Sequence, residues 1–258
     1  MKNRLFKWLG LFFLGFILSA CQNDKIGSLT LHFSHRVDNL PIDLHAMNYS
    51  NAAGNRYQID EVKYFISKIC LITEDSQYLT IPNVTNHPHY VDLSIEKTLQ
   101  LPMHVKEGNY KGIAFVFGLD QEDNQSNRFV NPPESNFAWP EVLGGGYHYM
   151  QINGKWQANN GTIKAMNFHT GIGQLYTNNS MQIADIYQFV HNYFWVTVPL
   201  DFTVSSKHAT SLNLVMNIEN WFQNPNIYDH NEFGGAIMQN QIAQQIIKEN
   251  GCDVFTLE

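Results

Sequence analysis

The sequence predicts a mainly β protein: a single antiparallel, Greek-key-like β-sandwich domain with long loops and one C-terminal α-helix. Three observations predict it. Short runs in which apolar and polar residues alternate recur from residue 29 to residue 218, the period of strands with one buried face. One late stretch, 236–250, changes to helical spacing. No proline-, serine- or charge-rich linker and no internal repeat divides the 258 residues, which are enough for one large core.

In chain order, the run 29–37 places Leu29, Leu31, Phe33, His35 and Val37 on one face and Thr30, His32, Ser34 and Arg36 on the other. It is read as a half-buried strand. The run 57–72 is β-rich, and Glu74-Asp75-Ser76-Gln77 turns it into a second strand over 78–81, a hairpin. His87-Pro88-His89 is read as a solvated loop before a short strand over 90–93. The run 111–117 aligns Ile113, Phe115 and Phe117. A long polar segment then runs to Asn131-Pro132-Pro133, and a loop of that length in a small domain is often functional.

The stretch 137–173 concentrates the chemistry. Gly144-Gly145-Gly146 permits backbone conformations closed to other residues. The run 147–152 alternates, with His148, Met150 and Ile152 expected on one side. Asn153-Gly154 reads as a two-residue hairpin turn. The run 163–169 is the next strand and ends in His169, beside Gly171 and Gly173. Further on, 181–190 is ambiguous, with a short helix as one reading, 193–198 is read as a strand closed by Pro199, and 212–218 as the last strand. Met238, Ile242 and Ile246 recur every four residues before Gly251, the signature of an amphipathic helix with a glycine stop.

The N-terminus has its own logic. Lys2, Arg4 and Lys7 precede an apolar run and then Leu18-Ser19-Ala20-Cys21, which is the pattern of a signal peptide ending in a lipidation site. The domains expected are a signal peptide over 1–20, a lipidated tether over 21–27 and the β-sandwich over 28–258, with Cys21 carrying the lipid. Gln22 after the cysteine, by similarity to bacterial lipoproteins, points to the outer membrane. Removal of the leader changes the net charge from -7 to -10, so nucleic acid is not an expected partner. For Cys70 and Cys252 a disulfide and two buried free thiols are the open alternatives.

Eleven histidines and eight methionines in an envelope protein invite a metal reading, and imidazole with thioether suits copper better than magnesium or calcium. His148, His169 and His35 are expected to converge, and His32, on the other face of the first strand, is the fourth candidate ligand. Set against this is the plain reading that histidines and aromatics fill a core. No Gly-x-Ser-x-Gly elbow, His-Glu-x-x-His or phosphate loop is present, so a non-enzymatic protein is expected.

The segments LHFSHRVDNLPI, YQIDEVKYFISKICL, NPPESNFAWPEVLGGGYHYMQINGKW and MNFHTGIG resemble the MbnP-like family of periplasmic copper-binding proteins, in particular the lipoprotein branch of Bacteroidetes. The resemblance implies a β-sandwich that binds copper through histidines, His169 matching the family's Phe-His-x-Gly motif. It also implies that Trp139 occupies the position of a tryptophan that some members oxidise to kynurenine, through a di-haem partner of the MauG, cytochrome c peroxidase-like type. The competing function class is a metal-free lipoprotein that binds a protein or glycan through an aromatic platform of Trp139, Trp156, Tyr147 and Tyr149.

Overall fold

Alternation in the sequence becomes two stacked sheets in the computed structural model, which describes residues 25–179 and 181–258. The expected signal peptide, Cys21 and most of the expected tether lie outside the described residues. The first half of the chain supplies β1 (Ile26–Val37), β2 (Leu40–Pro41), β3 (Tyr49–Ser50), β4 (Arg56–Thr73), β5 (Tyr78–Thr80), β6 (His89–Asp92), β7 (Gln100–Lys106) and β8 (Gly108–Phe117). The second supplies β9 (Met150–Gln157), β10 (Ile163–Thr170), β11 (Ile172–Tyr176), β12 (Ile186–His191), β13 (Phe194–Val204) and β14 (Thr210–Asn217). Two helices, α1 (His230–Phe233) and α2 (Gln241–Asn250), precede β15 (Phe255–Leu257).

One sheet runs β15-β14-β1-β2, with β7 also on β1; the larger runs β10-β9-β4-β8-β13, with β3, β5 and β6 also on β4. Pairing is antiparallel except between β1 and β14, which run parallel with Leu31 opposite Leu212 and His35 opposite Met216. The main core lies between the sheets. Leu29, Leu31 and Phe33 of β1 share it with Val62, Tyr64 and Ile66 of β4 and with Met150, Ile152, Met166 and Phe168 of β9 and β10. Each large apolar side chain so buried contributes about 1.5–3 kcal/mol, and the alternation in β1 is what aims four of them, Leu29, Leu31, Phe33 and Val37, inward.

Because side chains alternate across a strand, β4 also points Glu61, Lys63 and Phe65 outward. Phe65 is nevertheless fully buried, since the loop 118–149 folds over that outer face. Phe65 with Tyr90, Leu119, Phe137, Trp139, Leu143, Tyr147, Tyr149 and Ile172 makes a second apolar cluster there. The molecule is thus a sandwich with a third, irregular layer on one side.

Several local expectations change. Asn153 and Gly154 lie within β9, and the β9–β10 reversal is made by 158–162, where Ala158 N–H donates to Thr162 O and Gly161 has φ +81. The alternation on both sides of Asn153-Gly154 outweighs its turn chemistry. Residues 186–191 pair with β11 as a strand and not a helix. β13 continues past Pro199 with an irregular register between Pro199 and Phe202, permissible because the proline sits on an edge strand. The helix expected over 236–250 begins at Gln241, where Asn240 caps it by accepting from Ala243 N–H; Ala236 instead bridges to Asn167 of β10. β1 begins at Ile26, inside the expected tether. His89 is not solvated: its ring stacks on Phe33 at 5.0 Å and its Nε2–H donates to Thr98 O. Cys70 is a buried free thiol and Cys252 an exposed one.

Two histidines are held neutral inside the main core. Burial lowers the pKa of His35 to about 3 and that of His230 to about 4. His230 is satisfied, accepting from Asn51 Nδ2 and donating from Nε2 to the sulfur of Met166, whereas His35 Nε2 has no partner. Between the unfolded pKa near 6.5 and these lowered values the unfolded chain binds protons that the folded chain does not, so stability falls as pH drops through that window. At about pH 5 each ring contributes up to ~2 kcal/mol to that loss. Urea midpoints measured from pH 7 to pH 5 should fall for the wild type and fall less for His35→Leu; equal slopes would contradict the assignment.

Candidate metal centre

The outer layer is pinned from below by one lysine. Lys68 sits at a register shift of β4 with φ +52, and its ammonium reaches Asp120, Glu122 and Asp123 at 3.6, 2.8 and 3.3 Å. Arg128 adds a contact to Asp123 at 2.9 Å. The loop so anchored presents Asn124, whose Oδ1 accepts from Tyr147 N–H at 2.8 Å. Gly146, at φ +77, lies so close that a Cβ would stand 2.3 Å from that oxygen. The glycine triplet therefore serves a close backbone approach, as its composition predicts.

Beyond the triplet, 137–139 and 146–148 run antiparallel. Trp139 N–H donates to Gly146 O, and His148 N–H donates to Phe137 O. This pairing carries the His148 ring inward to lie edge-on to Trp139 at 4.8 Å and to His169 at 5.1 Å between ring centroids. Trp139 is 1 % exposed, with its indole N–H donating to Leu143 O at 3.1 Å. His169 arrives from β10, whose inward residues Met166 and Phe168 belong to the main core while Asn167 and His169 face the outer layer.

The hydrogen bonds settle which nitrogen of each ring is free. His148 Nδ1 stands 2.9 Å from Phe137 O; a carbonyl only accepts, so Nδ1 carries the proton and Nε2 keeps its lone pair. His169 Nε2 stands 2.7 Å from Asn153 Oδ1, so here Nε2 carries the proton and Nδ1 the lone pair. His169 Nδ1 is buried without a partner. Desolvation lowers both pKa values to about 4, and for His169 the neighbouring His148 adds to the effect. The pair is therefore neutral at pH 7, in opposite tautomers, in a site lined by aromatics.

The structure brings together His148, His169 and Trp139 and leaves out the other candidates. His35 lies on the inner face of β1, edge-on to Tyr64 at 5.7 Å, so the large sheet stands between it and the pair. His32 is exposed on the opposite face of β1. Met150, expected beside His148, points into the main core because His148 precedes the regular strand. Among the described residues no group of three or more His, Cys, Asp or Glu could hold a metal, which leaves a two-histidine arrangement. The aromatic platform is overturned: Trp139, Trp156, Tyr147 and Tyr149 are all at most 2 % exposed.

Sequence reasoning missed Asn153, the acceptor that orients His169, and His230, which joins α1 to Met166. The alternation of Gln151, Asn153 and Lys155 against Ile152 was the available signal for the first.

A family model described as MbnP matches residues 26–239. The chain belongs to the MbnP family. Among solved structures it is similar to MbnP from Methylosinus trichosporium, with a TM-score of 0.52 and 15% identity over 79% of this chain and 80% of that one. This likeness bears on the fold, a mainly β sandwich with a C-terminal helix, as expected from the sequence. No curated protein matches the chain.

The packing of Trp139 is testable through Gly171, where a Cβ would fall 2.6 Å from the indole ring. Gly171→Ala is expected to lower stability by ~1–3 kcal/mol and to shift the emission of the displaced tryptophan. An unchanged melting temperature and spectrum would show that the indole is not held where described.

Proposed function

We propose that this MbnP-family protein is a lipid-anchored envelope protein that binds copper through His148 Nε2 and His169 Nδ1, in metal acquisition or handling. The observation that carries the reading is the pair of neutral imidazoles in opposite tautomers, one of them with a buried nitrogen that has no hydrogen-bond partner. A buried acceptor without a partner costs about 1–3 kcal/mol, and a bound cation would relieve that cost. Imidazole is a good copper ligand, and the lowered pKa values keep both rings in the deprotonated form that ligation requires. The protein's part is to hold and dehydrate the ion; with no substrate-activating group in the site, we read it as a binding protein and not an enzyme.

The anchor and its location rest on Leu18-Ser19-Ala20-Cys21 and Gln22, which support attachment at the outer membrane through lipid on Cys21. Trp139 supports the finer reading that a di-haem partner of the MauG type oxidises it, since its ring packs directly on His148. Its burial means that such an oxidant would draw electrons across intervening groups and not from the indole by contact.

Dialysis of the soluble domain against copper, followed by metal analysis, should give one tightly held ion in the wild type. His148→Ala and His169→Ala should each weaken binding at least ~10-fold, while His32→Ala and His35→Leu leave it unchanged. Wild-type retention no better than a histidine-poor control protein would refute the reading. Separately, mass spectrometry of the Trp139 peptide from the native host should show added oxygen and lost carbon; an unmodified peptide would refute the oxidation.

A further inference from the structure

On the outer face of the large sheet, four side chains from three adjacent strands form one row. Lys63 Nζ lies 3.3 Å from Glu61 Oε1, Asn153 Nδ2 donates to Glu61 Oε2 at 2.8 Å, and His169 Nε2 lies 2.7 Å from Asn153 Oδ1. Two backbone features create it. A register shift in β4 between Ile59 and Glu61 puts Glu61, and not Asp60, directly opposite Asn153. Gly154 then allows β9 to close on that irregularity, since a Cβ there would stand 2.0 Å from Gln58 O. His169 pairs with Gln151 and so stands diagonal to Asn153, a spacing across which side chains still meet.

We propose that Glu61 and Asn153 are positioning residues that fix the tautomer of His169 and thereby direct its Nδ1 lone pair toward the metal; the second half rests on the copper reading, the first does not. Donors and acceptors fix the arrangement. An ionised carboxylate only accepts, so Asn153 turns its NH2 to Glu61 and its carbonyl oxygen to His169. That oxygen also only accepts, so the imidazole holds its proton on Nε2 and Nδ1 is left bare. Lys63 steadies the carboxylate from its other side. A surface carboxylate, with 48% of its side chain exposed, thus dictates through one amide which nitrogen of a buried ring is open. Without Asn153 the proton is free to move to Nδ1, and that tautomer presents no lone pair to the site.

Long-range nitrogen–proton NMR of the metal-free protein reads the tautomer directly, and copper titration of the same samples reads its consequence. The wild type should show His169 protonated at Nε2 alone. Asn153→Leu should lose that preference and bind copper about 10–100-fold more weakly. The double variant Asn153→Asp with Glu61→Gln exchanges carboxylate and amide, keeps an acceptor facing His169, and should restore both the tautomer and an affinity within roughly 3-fold of wild type. A tautomer unchanged in Asn153→Leu would overturn the proposal. A tautomer that moves with no change in copper affinity would overturn its role at the metal. Should the wild type bind no copper while the tautomer still follows Asn153, the copper reading fails and the positioning role stands.

Discussion

Everything specific to the site depends on the outer face of the large sheet being sealed. The strands would place His169, Asn153, Glu61 and Phe65 on a solvent-facing surface; it is the loop 118–149, held down by Lys68 on three carboxylates, that excludes water from part of it. Without that cover Phe65 would expose its ring and His148 would have no fixed position. With it, two imidazoles are desolvated far enough to stay neutral well below pH 6.5. The metal-binding reading and the burial of Trp139 both follow from this one layer.

The site also shows a division of labour between regular and irregular structure. β10 fixes one ring through strand geometry, and the glycine-rich loop delivers the other through the short pairing of 137–139 with 146–148. Trp139 is wedged between that loop and Gly171 and so limits how far His148 can move. One ring fixed on a strand and a second on a braced loop accord with the proposal of a site that holds a metal ion. The row from Lys63 to His169 extends the same logic outward, because it uses the sheet register to orient a ring that the loop merely covers.

Much of the scaffold was legible because burial on one face writes a period of two into the sequence. β1, β4, β8 and β14 are visible in that way, and so are His169 at a strand end and the need for glycines at 144–146. What was not legible depends on layers. Alternation says that His35 faces an apolar side, but not which of the three layers it enters; the same apolar signal served Tyr64 in the main core and Phe65 in the outer cluster. The burial of Trp156 and Tyr149 was not legible for the same reason. Asn153-Gly154 failed differently, since local turn chemistry competed with a strand period and with a bulge in a distant strand that no local pattern encodes.

The proposed site is defined by where a metal sits. A crystal of the copper-soaked soluble domain, with anomalous scattering collected at the copper edge, should show its principal peak between His148 and His169, about 2 Å from Nε2 of the first and Nδ1 of the second, as for other imidazole–metal bonds. A principal peak at His32 or another exposed histidine, or an empty site between the two buried rings at saturating copper, would contradict it.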